Sequence, residues 1–154
     1  MTIVEFAVPP VVKTVSVRAA PVQAFDYFVR DLGRWWPLAQ FHTGPDPVDC
    51  AIEPRAGGRV FERAADGRET QWGTVLEYEP PHRLTFTWIV GLSAVLAQLI
   101  EIRFVPQGSN TRVELTHSGW EKLGDAAAAL REGYDRGWAT LIERCYAEYV
   151  NTAT

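Results

Sequence analysis

The amino-acid sequence predicts an α+β domain in which a curved antiparallel β-sheet surrounds one long C-terminal helix. Between residues 48 and 118, six strand-like segments are separated by short turn sequences, which is typical of an antiparallel meander. Residues 121–150 contain no proline, and their apolar side chains recur at steps of three and four, as on an amphipathic helix. A sheet that curves around such a helix buries the apolar faces of both elements, so the α+β class follows.

A first strand and two short helices are predicted ahead of the meander. Residues 11–19, VVKTVSVRA, alternate apolar and polar side chains, which indicates a strand. Pro21 stands at a favoured early position of a helix, and that helix is expected to end near Gly33. A short helical turn then carries Trp35 and Trp36, because the proline that follows them cannot continue a helix. With the first strand, the expected sheet has about seven strands.

The strands of the meander are identified by the turns between them. Turn-forming residues cluster in RAGG at 55–58, ADG at 65–67, EPPHR at 79–83 and PQGSN at 106–110. The segments between these turns are VDCAIEP, RVFERA, TQWGTVLEY, RLTFTWIV, AQLIEIRFV and TRVELTHS. Residues 84–100 carry no charge, yet their period of two and the interruption near Gly91 predict two strands rather than a membrane span.

Length, charge and cysteine spacing limit the function classes. A chain of 154 residues fits a single domain, 1–154, with its folded core in 11–150. A formal net charge of −4 gives no basic surface, so neither nucleic acid nor a membrane is an expected partner. Cys50 and Cys145 lie far apart, and no histidine or cysteine spacing matches a metal site. We therefore expect no metal, no cofactor and a cytoplasmic location.

The connection between the two uncharged strands, residues 90–97, is unusually apolar for a loop. If exposed, Val90, Leu92, Val95 and Leu96 would form a patch that is rare on a monomer. Two alternatives explain this composition. Either the connection is buried in a homodimer contact, or it folds over a ligand cavity as an apolar lid.

Five stretches of the chain, taken in order, carry a family resemblance. They are APVQAFDYFVRDLGRWWP, RAGGRVF, WGTVLEYEPPHRLTFTW, NTRVELTHSGW and the pair Gly137-Trp138. Together they resemble the START-like, or SRPBCC, superfamily, and within it the branch named for the C-terminal domain of the activator of Hsp90 ATPase. The resemblance covers residues 11–150. It implies a helix-grip fold, in which the long helix lies across the sheet and the short helices partly close a cavity between them.

The resemblance implies a binding module for a small, mainly apolar or aromatic ligand held in that cavity. The residues expected to line it are Trp36, His42, Trp72, Phe86, Trp88, Phe104, His117, Tyr134, Trp138 and Leu141. Two alternatives remain: a hydrolase-like or cyclase-like enzyme that uses the same cavity, and a co-chaperone-like interaction domain. No catalytic residue is assigned, because the sequence shows no histidine with an evident orienting partner.

Two sequence details allow two interpretations each. Trp36 is expected at the cavity mouth while Trp35 packs the short helices onto the sheet; alternatively, both belong to the core or a half-exposed lid. Gly133 and Gly137 lie on one helix face. Glycine destabilises the interior of a helix, so its presence at both positions needs an explanation. We favour close approach of a strand backbone there, and the alternative is room for a ligand.

Polar residues of the strands are expected to have structural or solvent-exposed positions. His117 falls among inward-facing apolar neighbours, so we interpret it as a hydrogen-bonded core residue rather than a base. Glu62, Glu77, Glu101 and Glu114 fall within ordinary strand alternation and are expected to face solvent.

Overall fold

Seven antiparallel strands form one sheet in the computed structural model, which describes residues 8–90 and 96–153. The strands are β1 (Val11–Val17), β2 (Pro47–Ile52), β3 (Arg59–Ala64), β4 (Glu69–Glu79), β5 (Arg83–Trp88), β6 (Gln98–Gln107) and β7 (Asn110–Ser118). Their order in the sheet is β1-β7-β6-β5-β4-β3-β2, so each meander strand pairs with its neighbour in sequence, and β1 pairs with β7. The predicted seven-stranded antiparallel sheet is confirmed.

Two short helices, α1 (Pro21–Arg30) and α2 (Leu32–Trp35), connect β1 to β2. The proline of α1 stands at its first position, as predicted. α1 packs on the sheet through Phe25, whose ring centroid lies 5.0 Å from that of Phe104. α2 ends at Trp36, where the backbone becomes extended (φ −75°, ψ 120°), because the residue before a proline avoids helical angles.

The C-terminal helix consists of α3 (Ala127–Trp138), a π-helical segment (Ala139–Tyr146) and α4 (Ala147–Ala153). It is continuous, because the backbone keeps helical angles where these parts meet. The helix was expected to begin at 121, but residues 120–126 form a 3₁₀ segment instead. Gly124 explains the difference, since its positive φ of 60° interrupts helical geometry ahead of α3.

A β-bulge in β4 decides the direction of one large side chain. Val60 of β3 pairs with Gly73, whereas Phe61 pairs with Gln71, so Trp72 is the extra residue on β4. A bulge of this kind re-aims the side chain that it carries. The Trp72 indole is buried on the inner side of the sheet, with 2% of its surface exposed.

The apolar core lies between the inner face of the sheet and the C-terminal helix. Ile100, Ile102 and Leu115 of the sheet are fully buried, as are Ile142 and Tyr146 of the π-helical segment. Alternate residues of β6 and β7 are therefore buried, as expected where one face of a sheet packs on the core. Within the described ranges, no helix is long and apolar enough to cross a bilayer.

Candidate functional site

A cavity of about 340 Å³ lies between the sheet, the C-terminal helix and the loop that follows α2. This volume is within the range of small-molecule sites in proteins. The sheet contributes Trp72 and Trp88, while Trp36 directly follows α2 and Val90 follows β5. The loop contributes Gln40, Phe41, His42 and Thr43, and the helix contributes Ala129, Leu130, Gly133, Tyr134, Gly137, Trp138 and Leu141.

Four tryptophans form a closed ring in the cavity wall. The ring centroids of Trp36 and Trp72 are 5.0 Å apart, and those of Trp72 and Trp88 are 5.8 Å apart. Trp138 completes the ring at 5.8 Å from Trp88 and 6.0 Å from Trp36. The four indoles come from α2, the β4 bulge, β5 and α3, so the wall exists only when all of these elements have packed.

Each of these indole N–H groups has an acceptor within the protein. For Trp36, Trp72, Trp88 and Trp138 in turn, the acceptors are the Phe41 carbonyl (2.9 Å), the Glu62 carboxylate (2.8 Å), the Tyr134 hydroxyl (2.9 Å) and His117 Nδ1 (2.9 Å). Since an indole has a single donor and no acceptor, the four side chains offer a ligand only their apolar ring surfaces. The wall is therefore suited to aromatic and apolar contacts.

Two glycines, Gly133 and Gly137, leave gaps between the side chains of α3 that border the cavity. A Cβ atom added to Gly133 would meet no atom within 4 Å, and one added to Gly137 would meet only the Phe41 ring, at 3.4 Å. The favoured interpretation, close approach of a strand backbone, is therefore wrong. The glycines border the cavity, which is the arrangement that the alternative interpretation described.

A buried carboxylate holds the loop beside the cavity. Glu62 is 1% exposed and accepts hydrogen bonds from the Thr43 N–H (2.7 Å), the Thr43 hydroxyl (2.6 Å) and the Gly44 N–H (2.9 Å), in addition to Trp72. Burial by itself raises the pKa of Glu62, but these hydrogen bonds together outweigh burial and hold the pKa below its ordinary value. One ionised group thus joins the loop to the indole wall.

The prediction that Glu62 faces solvent is wrong. It lies on the inner face of β3 together with Val60, whereas Phe61 between them is covered by the Arg59 guanidinium at 4.3 Å from its ring centroid. Among the other carboxylates, Glu77 is exposed, while Glu101 and Glu114 are partly buried beside arginines. The buried position of Glu62 is stable because the loop supplies donors that the strand pattern does not show.

His42 stands on this loop with one ring nitrogen engaged. Its Nδ1 lies 2.8 Å from the Gly44 carbonyl oxygen. Since that oxygen can only accept, Nδ1 carries a proton, and in the neutral ring Nε2 is then an acceptor. The side chain is exposed and borders the cavity.

Tyr134 of α3 borders the cavity through a hydroxyl that is only partly engaged. Its oxygen accepts the Trp88 N–H at 2.9 Å. Burial raises the pKa of the hydroxyl, so it keeps its proton at neutral pH.

His117 lies behind the wall rather than in it. Trp138 donates to its Nδ1, so Nε2 carries the proton and donates to Gln98 Oε1 at 2.6 Å. The Trp120 ring stacks on it with centroids 4.3 Å apart. Burial lowers the pKa of His117 to about 3, so the ring is neutral. A structural, hydrogen-bonded histidine was expected here, and its inclusion among the cavity-lining residues was wrong.

Two further predicted residues lie outside the cavity wall. Phe104 packs against Phe25 and Phe28 of α1, because it lies towards the far end of β6. Phe86 is the neighbour of Trp88 on the same face of β5, with the ring centroids 6.3 Å apart, but it does not border the cavity. Both residues are buried on the inner face of the sheet, but alternation along a strand does not indicate which part of that face borders a cavity.

The other seven predicted residues border the cavity, and their role in binding stays a prediction. They are Trp36, His42, Trp72, Trp88, Tyr134, Trp138 and Leu141. Sequence reasoning missed the lining residues Gln40, Phe41, Thr43, Ala129 and Leu130, whereas Val90 belongs to the connection for which an apolar lid was one of two alternatives. Most of these lie in irregular segments or on the open side of α3, where periodicity gives no signal; the apolar composition after Trp88 was a usable sign for Val90.

The adjacent tryptophans have different positions. Trp36 borders the cavity, whereas the Trp35 ring packs between Phe28 of α1 and Tyr146 of the C-terminal helix, at centroid distances of 5.1 and 5.2 Å. Trp35 thus joins the short helices to the long helix. Of the connection 90–97, Val90 lines the cavity, while 91–95 lie outside the described residues, so both the homodimer and the lid stay predictions.

The described part of the chain offers no metal centre. No group of three His, Cys, Asp or Glu side chains within it is placed to hold a metal ion. Cys50 is buried, and burial raises the pKa of its thiol to about 12. Among the described residues, the cavity is bordered by aromatic surfaces and a few polar side chains.

A curved antiparallel sheet that encloses a long helix, with a cavity between them, defines a START-like, SRPBCC-type domain. The family model described as Activator of Hsp90 ATPase homolog 1-like protein matches residues 18–146. The chain belongs to this family.

Solved structures share this fold. The anthrahydroquino-γ-pyrone synthase Txn09 is 36% identical, with a TM-score of 0.58 over 84% of this chain and 88% of that one. The self-sacrificing resistance protein CalC from Micromonospora echinospora is 27% identical, with a TM-score of 0.70 over 94% and 96%. Protein NE0264 from Nitrosomonas europaea, at 17% identity and a TM-score of 0.65 over 95% and 96%, shows the fold alone. A comparison with curated proteins gave no match.

Proposed function

We propose that this protein binds a planar, polycyclic aromatic small molecule in the tryptophan-walled cavity. The observation that carries the proposal is the ring of four indoles whose N–H groups are all engaged within the protein. Aromatic surfaces of this kind favour stacked and edge-to-face contacts with other rings. Because Gly133 and Gly137 have no side chains, there is space for a flat ligand beside α3.

Binding to the purified protein tests this proposal. We expect 2-hydroxyanthraquinone, as a planar tricyclic probe, to quench tryptophan fluorescence and to raise the melting temperature, whereas palmitate does neither. A ligand at about 100 times its Kd adds about 2.7 kcal/mol to the free energy of unfolding, or roughly 5 to 10 °C for a domain of this size. Tighter binding of palmitate than of the tricyclic probe would contradict the proposal.

A pair of leucine variants locates the binding site. Gly133→Leu places a side chain in the open space of the cavity, so it should abolish binding while the helix remains intact. Ala128→Leu adds the same side chain at an exposed position of α3 outside the cavity, and should bind like the wild type. Unchanged affinity in Gly133→Leu would place the ligand elsewhere.

A second candidate function is ring closure on an aromatic substrate. The observation that favours it is the 36% identity with an anthrahydroquino-γ-pyrone synthase over most of both chains. Conversion of 2′-hydroxychalcone into the isomeric flavanone provides a test, because a phenol oxygen adds to an enone without any co-reactant. A rate above that in buffer, lost in Gly133→Leu, would support an enzyme; the buffer rate alone would leave binding as the function.

A further inference from the structure

Among the described residues that border the cavity, Tyr134 and His42 each have a polar group that a neighbour holds in place and that keeps an unengaged donor or acceptor. The Thr43 hydroxyl donates to Glu62 at 2.6 Å, so its proton is already engaged. The Gln40 side chain is exposed, and no described residue fixes its amide. The hydroxyl of Tyr134 and the imidazole of His42 remain, and each is oriented by a neighbour.

The Tyr134 hydroxyl is oriented as a donor. The Trp88 N–H occupies one lone pair of the oxygen, so the O–H bond is directed elsewhere. No acceptor for this proton is found among the residues that the structure describes. Tyr134 borders the cavity, where the carbonyl oxygen of a ligand would supply that acceptor.

The His42 ring is oriented as an acceptor. Its Nδ1–H donates to the Gly44 carbonyl, which leaves the Nε2 lone pair without a partner in the described ranges. The two preceding peptide units of this loop are fixed in turn, since the N–H groups of Thr43 and Gly44 both donate to buried Glu62. A ligand hydroxyl group would therefore meet an acceptor whose direction is set before binding.

We propose that Tyr134 and His42 select the ligand by donating to a carbonyl oxygen and accepting from a hydroxyl group, respectively. The ligand class is then a planar aromatic ketone or quinone that carries a free hydroxyl group. This inference rests on the proposed aromatic binding function. It adds chemical selectivity to a wall that is otherwise apolar, since a hydroxyl or carbonyl without a partner would be poorly accommodated there.

A matched ligand series tests the role of His42. Anthraquinone has carbonyl groups alone, 2-hydroxyanthraquinone adds the hydroxyl, and 2-methoxyanthraquinone removes its proton. We expect the hydroxyl compound to bind the wild type about three- to tenfold more tightly than the methoxy compound. In His42→Phe, an exposed substitution, this ratio should fall to about one; an unchanged ratio would overturn the role of His42.

The carbonyl stretching frequency of the bound ligand tests the role of Tyr134. With carbonyl-labelled anthraquinone, we expect a shift to lower frequency in the wild type that disappears in Tyr134→Phe, and all three ligands should bind the variant about three- to tenfold more weakly. Tyr134→Phe also removes the hydrogen bond from Trp88, and thermal unfolding of the variant without ligand measures how much stability is lost with that bond. An identical frequency in both proteins would overturn the role of Tyr134.

The same series separates this inference from the function on which it rests. Equal binding of the three anthraquinones to the wild type would overturn the inference while the aromatic binding function stands. Binding of none of them would overturn both.

Discussion

His117 shows how a titratable side chain can be held neutral by its surroundings. Trp138 donates to one ring nitrogen and Gln98 accepts from the other, within a fully buried position. A protonated ring would have to donate to Trp138, which has no acceptor to offer. The hydrogen bonds and the burial therefore favour the same protonation state.

Acid should therefore destabilise the fold through His117. Burial lowers the pKa of His117 from 6.5 to about 3, so its contribution to stability is fully present above pH 6.5 and is lost progressively as the pH falls towards 3. In this window the free energy of unfolding should fall by up to about 1.4 kcal/mol per pH unit on account of this residue. Urea unfolding of wild type and His117→Asn at pH 7, 6 and 5 measures the effect. Parallel pH dependence of the two proteins would contradict it.

Glu62 should contribute more to stability than a surface carboxylate. In Glu62→Gln an NH₂ group replaces one acceptor oxygen and faces a donor, so we expect a loss of about 1 to 3 kcal/mol. The exposed Glu77, paired with Arg83 at 2.8 Å, provides the matched control, and Glu77→Gln should cost less than about 1 kcal/mol. Urea unfolding compares the two, and equal losses would show that the buried network contributes nothing specific.

Residue roles were predictable where a repeating pattern sets them. Parity placed His117 among inward-facing neighbours and so indicated a structural role. Glu62 was assigned to solvent because a carboxylate in a strand usually faces outward, whereas its donors come from Thr43 and Gly44 in a loop some 18 residues away. Sequence alone does not show which loop will pack on which strand.

At the scale of elements, two glycines should respond to alanine in opposite ways. Gly133 lies in α3 with open space around an added Cβ, so Gly133→Ala should stabilise the protein by up to about 1 kcal/mol. Gly73 lies in β4, where an added Cβ would overlap the Thr87 carbonyl, and Gly73→Ala should cost more than about 3 kcal/mol. Urea unfolding of both variants checks this. A loss of stability in Gly133→Ala would contradict the account of an open cavity.

The elements themselves were largely predictable, and their irregularities were not. The strands and the two short helices follow from alternation, turn residues and prolines. The bulge at Trp72 was not foreseen, although it directs one wall of the cavity, because a bulge depends on the pairing of β3 with β4. The spacing of apolar residues in the C-terminal helix likewise does not indicate the π-helical segment that follows Trp138.

At the scale of the whole molecule, the cavity results from packing between elements that are distant in sequence. Trp36 and Trp138 are 102 residues apart in the chain, yet their ring centroids are 6.0 Å apart. The family resemblance predicted a cavity between sheet and helix, and the structure has one. The ligand itself could not be predicted, because the same fold serves many functions and selectivity depends on a few polar atoms.

The most direct test of the aromatic binding site is the set of six tryptophan indole N–H signals in a ¹⁵N–¹H NMR spectrum. On addition of 2-hydroxyanthraquinone, we expect ring-current shifts for Trp36, Trp72, Trp88 and Trp138, which border the cavity. Trp35 and Trp120, which pack elsewhere, should keep their positions. Six unchanged signals, or shifts confined to Trp35 and Trp120, would contradict the proposed site.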